Sequence, residues 1–206
     1  PSGVGVFFLF MPTLTSKLEA VNSMLGHIGE SPVNSISDTN ALPVSAATAI
    51  SVLDEISREV QTEGWHFNTE IDVTLPAHGG VISVPSDVIQ IDTIDKSVDI
   101  VQRGSTLFDR KSNSSTFSND LKVNLVRLLD FTSLPETARR YITLRASRVF
   151  QGRMVGSREL EALIARDEFV ARSRLEESDY GSSDRTIFDN FDAASRIGVN
   201  RNYELL

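Results

Sequence analysis

Cysteine is absent from the 206 residues, which excludes a disulfide framework, a thiolate nucleophile and a Cys-ligated zinc centre. Histidine is scarce: His27, His66 and His78 are the three present, far apart, with no His-x-x-x-His pair among them. No Gly-x-Ser-x-Gly elbow, P-loop or acidic calcium loop occurs, so no metal and no cofactor is expected. Long apolar runs are also lacking. The most apolar stretch, residues 1–11, has no Lys/Arg-rich start and is closed by Pro12, short of the ~20 residues that span a bilayer. No membrane span is expected, and residues 1–15 are read as an N-terminal arm or a remnant outside the fold. Positive charge is in deficit: 20 basic against 28 acidic residues give a net charge of −8. That disfavours general nucleic-acid binding, because a polyanion repels a net negative surface.

The hydrophobic share, 40%, and the charged share, 23%, are those of an ordinary globular chain. Ser16-Lys17-Leu18-Glu19 is a capping box, after which Leu18, Val21, Leu25 and Ile28 recur at helical spacing up to Gly29. A polar loop follows, then a second helix from about Pro43 to Glu63 with Ala46, Ala49, Leu53, Ile56 and Val60 on one side. Past Gly64 the period drops to two, and short strand patterns separated by turns run to Leu129, including a hairpin at Gly104-Ser105. The polar loop 111–120 is expected to be exposed, with Phe117 as a lone apolar point. Ser133-Leu134-Pro135-Glu136 predicts the cap of a third helix running to about Gly152, with 152–156 as a turn. Ser157 is placed to cap a fourth.

The fold class read from this order is α+β: a helical bundle of two N-terminal and two C-terminal helices, 16–64 and 133–178, with an inserted antiparallel β region, 65–132. Residues 179–206 are read as a tail that docks on a partner, through Ile187, Phe188 and Phe191. Charge follows the division, since residues 135–178 carry nine arginines and no lysine. On a helical wheel Arg145 falls among Ala138, Ile142 and Val149, and a desolvated guanidinium requires a carboxylate or carbonyl partner. Arg145, Arg148 and Arg153 are therefore candidate ion-pair or interface residues. Trp65 and Phe67 are candidates at the helix-to-sheet junction, and Phe150 on the apolar face of the third helix. The neighbouring acids Asp54/Glu55, Asp167/Glu168 and Glu176/Glu177 leave a carboxylate-pair glycan hydrolase as the alternative. Adjacent acids on a helix diverge by about 100°, which favours a solvated face.

Three segments set out a resemblance: Leu18-Glu19-Ala20-Val21-Asn22, Ile28-Gly29-Glu30-Ser31-Pro32-Val33 and Gly64-Trp65-His66-Phe67-Asn68. Asn124-Leu125-Val126-Arg127-Leu128, Leu134-Pro135-Glu136, Ala146-Ser147-Arg148-Val149-Phe150-Gln151 with Arg153 and Gly156, and Asp179-Tyr180-Gly181 extend it. In this order, from about residue 17 to 181, they resemble the tail tubular protein A family, the head-to-tail adaptors of short-tailed phages. The resemblance implies a non-enzymatic virion component of the tail neck, made in the bacterial host cytoplasm. It also implies a ring of twelve copies, joining the portal protein to the tail nozzle (tail tubular protein B). Genomic DNA would pass through its channel during ejection without tight binding, and no membrane partner is implied.

Overall fold

The computed structural model describes residues 13–38 and 41–182. The arm 1–11 and the tail candidates Ile187, Phe188 and Phe191 lie outside the described residues. Helix α1 (Lys17–His27) opens with the expected capping box: the Ser16 hydroxyl accepts from the Glu19 amide, and the Glu19 carboxylate accepts from the Ser16 amide at 2.7 Å. It closes on Gly29, whose φ of +77° allows the Glu30 amide to reach the Leu25 carbonyl at 3.0 Å. Helix α2 (Val44–Gln61) starts after Pro43.

Among the described residues seven strands follow: β1 (Thr69–Leu75), β2 (Ala77–His78), β3 (Val81–Ile82), β4 (Val88–Thr93), β5 (Ile100–Arg103), β6 (Thr106–Asp109) and β7 (Leu121–Arg127). They make an antiparallel three-stranded sheet in the order β1-β7-β4, and two hairpins, β2-β3 and β5-β6. Arg103 pairs with Thr106 across a two-residue loop whose Gly104 has φ +62°, the positive value such hairpin turns require. Helices α3 (Glu136–Met154) and α4 (Arg158–Ser182) complete the α+β fold. Helix α3 is central, touching α1, α2 and α4.

Two hydrophobic clusters result. The helical one is built around Met24, Leu25, Leu53, Tyr141, Ile142 and Phe150, all at most 1% exposed. The β cluster is smaller and centres on Ile82, Leu107, Val123 and Leu125, each at 0%. Gln61 and Asn68 tie the two together at the point where the chain enters and leaves the sheet. The Gln61 side chain exchanges hydrogen bonds with the Leu129 backbone at 2.7 and 3.0 Å. The Asn68 amide donates to the Gln61 and Arg127 carbonyls, both at 2.9 Å.

Four local expectations change. Ser133 does not cap α3: it lies in a 3-10 turn, Leu134 is extended and Pro135 precedes the helix without a side-chain cap. Arg139 gathers the carbonyls of Thr15, Thr132 and Leu134, and so holds this segment out of the helix. Helix α3 continues through Gly152 to Met154, because its last turn carries the Arg153 ion pair; the turn is Val155–Ser157. Residues 179–182, expected in the tail, belong to α4, whose Asp179 accepts from the His66 amide at 2.7 Å. Phe117 is 8% exposed and packs in the β cluster, since its amide is bonded to the Gly80 carbonyl at 2.8 Å.

Candidate interface built on helices three and four

Helix periodicity places three arginines of α3, Arg145, Arg148 and Arg153, along the seam where α2 and α4 meet it, and their partners come from both neighbours. Arg145 bridges Glu59 of α2 at 2.5 Å and Glu168 of α4 at 3.4 Å. Arg148 meets the same Glu168 at 2.5 Å and Glu161 at 3.8 Å. Arg153 holds Glu55 with two hydrogen bonds of 2.8 and 2.9 Å. On α4, Arg172 grips Glu63 with two bonds, Glu176 at 2.8 Å and the Tyr141 hydroxyl at 3.1 Å, and lies 5.9 Å from the Trp65 ring.

Electrostatics follow this geometry. The hydrogen bond that Arg148 donates to Glu168 holds its guanidinium above its ordinary pKa. For Arg145 burial is the largest influence and opposes the charge, but the Glu59 hydrogen bond and the neighbouring negative charges outweigh it, and the pKa rises. Glu63 does the same for Arg172. Glu168, 7% exposed, is the acid that two arginines share. Among the described residues the most enclosed arginine is Arg139, 5% exposed and satisfied by backbone carbonyls rather than acids. Its wheel position gave no sign of this, because the Thr15 and Thr132 carbonyls come from outside the helix.

Trp65 is 6% exposed, donates its ring N–H to the Val60 carbonyl at 2.7 Å and stacks on Phe67, centroids 6.4 Å apart. Phe150, at 0% exposure, is a core residue and offers no surface to a partner. Sequence reasoning missed the roles of Gln61 and Asn68, which stand among polar neighbours such as Glu59, Thr62, His66 and Thr69 and so carry no local signal. It also missed the exposed apolar tip of the α3–α4 hairpin, Met154, Val155, Leu160 and Leu163.

Asp54 and Glu55 diverge to different partners. Asp54 meets Lys17 at 2.7 Å while Glu55 meets Arg153. That arginine holds Glu55 below the usual carboxylate range, the reverse of what a general acid requires. Among the described residues no group of three or more His, Asp or Glu is arranged to hold a metal ion, and no helix is long and apolar enough to cross a membrane.

The family model described as tail tubular protein matches residues 18–184. Tail tubular protein A of Klebsiella phage KP34 is 29% identical over 126 residues, 61% of this chain and 66% of that relative, just under two thirds of its length. The family match runs from the second residue of α1 past the end of α4, and the chain belongs to the tail tubular protein family.

Proposed function

We propose that the chain is a non-enzymatic structural component of the phage tail neck. It assembles with further copies of itself into a ring, joins the portal protein to the nozzle and surrounds the DNA channel. One observation carries the mechanical half of this reading: the arginines along the α2–α3–α4 seam are all engaged by acids of the same chain. Arg145, Arg148 and Arg153 then act as internal ties that stiffen each copy, and their charges are not free to displace counterions from DNA. Trp65 and Phe67 brace the junction from which the β region projects. The apolar tip at Met154, Val155, Leu160 and Leu163 supports a contact with a neighbouring copy or the portal, since clustered exposed apolar residues mark interaction surfaces.

Electron microscopy of the purified protein, alone and mixed with portal, tests the assembly: closed rings that stack on the portal are expected, and a monomer indifferent to portal would overturn the reading. Fluorescence anisotropy with a short DNA duplex tests the channel. Binding should stay weaker than about 10 µM at 150 mM salt, in the non-specific range. Sub-micromolar affinity with a steep salt slope would show that arginines face the DNA. Turnover of host glycans, abolished by one substitution among the acid pairs, would restore the hydrolase alternative.

A further inference from the structure

Helix α4 is anchored differently from the helices it joins. Of its 25 residues Ala171 and Leu175 enter the helical cluster, whereas the 18 residues of α2 send Ala46, Ala49, Val52, Leu53, Ile56 and Val60 into it. Larger apolar side chains of α4 point away, with Leu163 and Phe169 66% and 73% exposed. The seam with α3 is also imperfectly closed. A groove of about 460 Å³ lies between Leu144 of α3 and Val170 and Ala171 of α4, and a hollow of about 90 Å³ beside Leu175 shares Thr137 with it. Among the described residues four enclosed side-chain polar atoms lack a hydrogen-bond partner. Three of them, Thr137 Oγ1, Arg145 Nε and Gln151 Oε1, belong to α3 residues that face α4 or the turn leading to it. Voids and unmet polar groups both weaken the hold of one surface on another. Charge supplies much of what remains: Glu168 takes Arg145 and Arg148, Glu161 takes Arg148, Glu63 takes Arg172, and Asp179 takes the His66 amide.

The geometry points to α4 as a latched arm, which leaves the body formed by α1, α2 and α3 as one unit and pivots at the turn 155–157, with the ion pairs as its latch. Gly156 occupies that turn at φ +68°. Gln151 ties the turn to α3: its carbonyl accepts from the Val155 and Gly156 amides at 2.8 and 2.9 Å, and its side chain donates to the Ser157 carbonyl at 3.0 Å. The arm therefore stays attached at its pivot when the latch opens. Opening uncovers Tyr141, which gives up Arg172, and Leu144. A unit that buries few apolar side chains is the one that opens before the rest of a fold. Salt sets the balance. The latching arginines Arg145, Arg148 and Arg172 all keep some contact with water, so screening reaches them as the Debye length falls from about 10 Å at 0.1 M to about 3 Å at 1 M. On the body salt acts the other way, because the net charge of −8 repels itself and screening relieves that repulsion.

The absence of native cysteine makes the test direct, because a single introduced thiol reports the opening. In the full chain, Ala171→Cys places the thiol on the buried face of α4, and Ala49→Cys, equally buried in α2, is the control. A maleimide should label Ala171→Cys at least about tenfold faster than the control, as release of a weakly held unit ahead of the fold implies. From about 50 mM to about 1 M sodium chloride its rate should rise about fivefold, the effect of screening a few ties of ordinary strength, while the control does not quicken. Equal rates, or an Ala171→Cys rate indifferent to salt, would overturn the inference. Adding Glu168→Gln should raise the low-salt rate at least about tenfold and remove most of the salt dependence, since the shared acid is gone; an unchanged rate would equally refute it. Hydrogen exchange on the unsubstituted chain gives an independent reading. The α4 amides should exchange as a block ahead of those of α1 and α3, and faster still in high salt. Exchange of all three helices together would show that α4 is not a separate unit.

Discussion

The helical bundle and the β region are held together in different ways. In the bundle, four helices bury one large apolar cluster and lace it with ion pairs between elements far apart in sequence, with Glu168 and Arg139 nearly enclosed. In the β region, three small sheets bury a smaller cluster, and the ion pairs sit at its edge, as where Arg127 reaches Glu70 and Asp87 at 2.8 and 2.7 Å. The difference teaches that the bundle is the stiff frame, because its charged ties, Arg172–Glu176 apart, each span two helices and the nearly enclosed Glu168 is shared by two of them. The sheet depends on packing and turn geometry.

The comparison breaks most readily at Phe150. Phe150→Ala empties a fully buried site and should cost about 4 kcal/mol, read by chemical denaturation; a loss below about 1 kcal/mol would show that the bundle closes over the gap. Next comes Glu168→Ala, which takes the shared acid from Arg145 and Arg148 at once and leaves them only Glu59 and Glu161. It should cost about 3 kcal/mol, the low end for breaking a buried pair because both guanidiniums keep some water. Arg145→Ala should cost clearly less, since Arg148 still holds Glu168, and equal costs would mean that Glu168 is not the shared centre.

Leu107→Ala, at the centre of the β cluster, should cost about 2.5 kcal/mol, the lower range for such truncations. Amide hydrogen exchange sharpens the contrast here: faster exchange confined to β3–β7 is expected, with α1 and α3 still protected. Uniform loss would show that Gln61 and Asn68 couple the two clusters into one unit.

The smallest effect is electrostatic. The hydrogen bond from Arg127 holds the Asp87 carboxyl below its usual range. A lowered folded-state pKa gives stability that is complete above the unfolded value of about 3.9 and is lost as pH falls below it. The stability difference between wild type and Asp87→Asn should therefore be constant from about pH 5 to 7 and shrink below about pH 4. A difference unchanged down to pH 3 would show that the pair contributes nothing.

Signals confined to a few residues were legible in the chain itself. The Ser16/Glu19 box, the Gly29 stop, the Gly104 hairpin and the order of two helices, strands and two helices each depend on contacts within about four residues or on a simple period. The need of Arg145 for a partner was legible too, from the apolar residues beside it on the wheel. The identity of that partner was not, because Glu59 and Glu168 are brought to it by helix packing across 86 and 23 positions. The same reason explains Ser133, whose strong local cap signal yields to Arg139 drawing in the carbonyl of Thr15, 124 positions away. Phe117 sits in a polar loop yet joins the β core, and Gln61 and Asn68 become the hinge pin between clusters. The amino-acid sequence by itself determined which segments are helix or strand and that Arg145 must be paired. Tertiary structure alone decided with whom, since a partner is chosen by which surfaces the apolar faces bring within about 3 Å once they are buried.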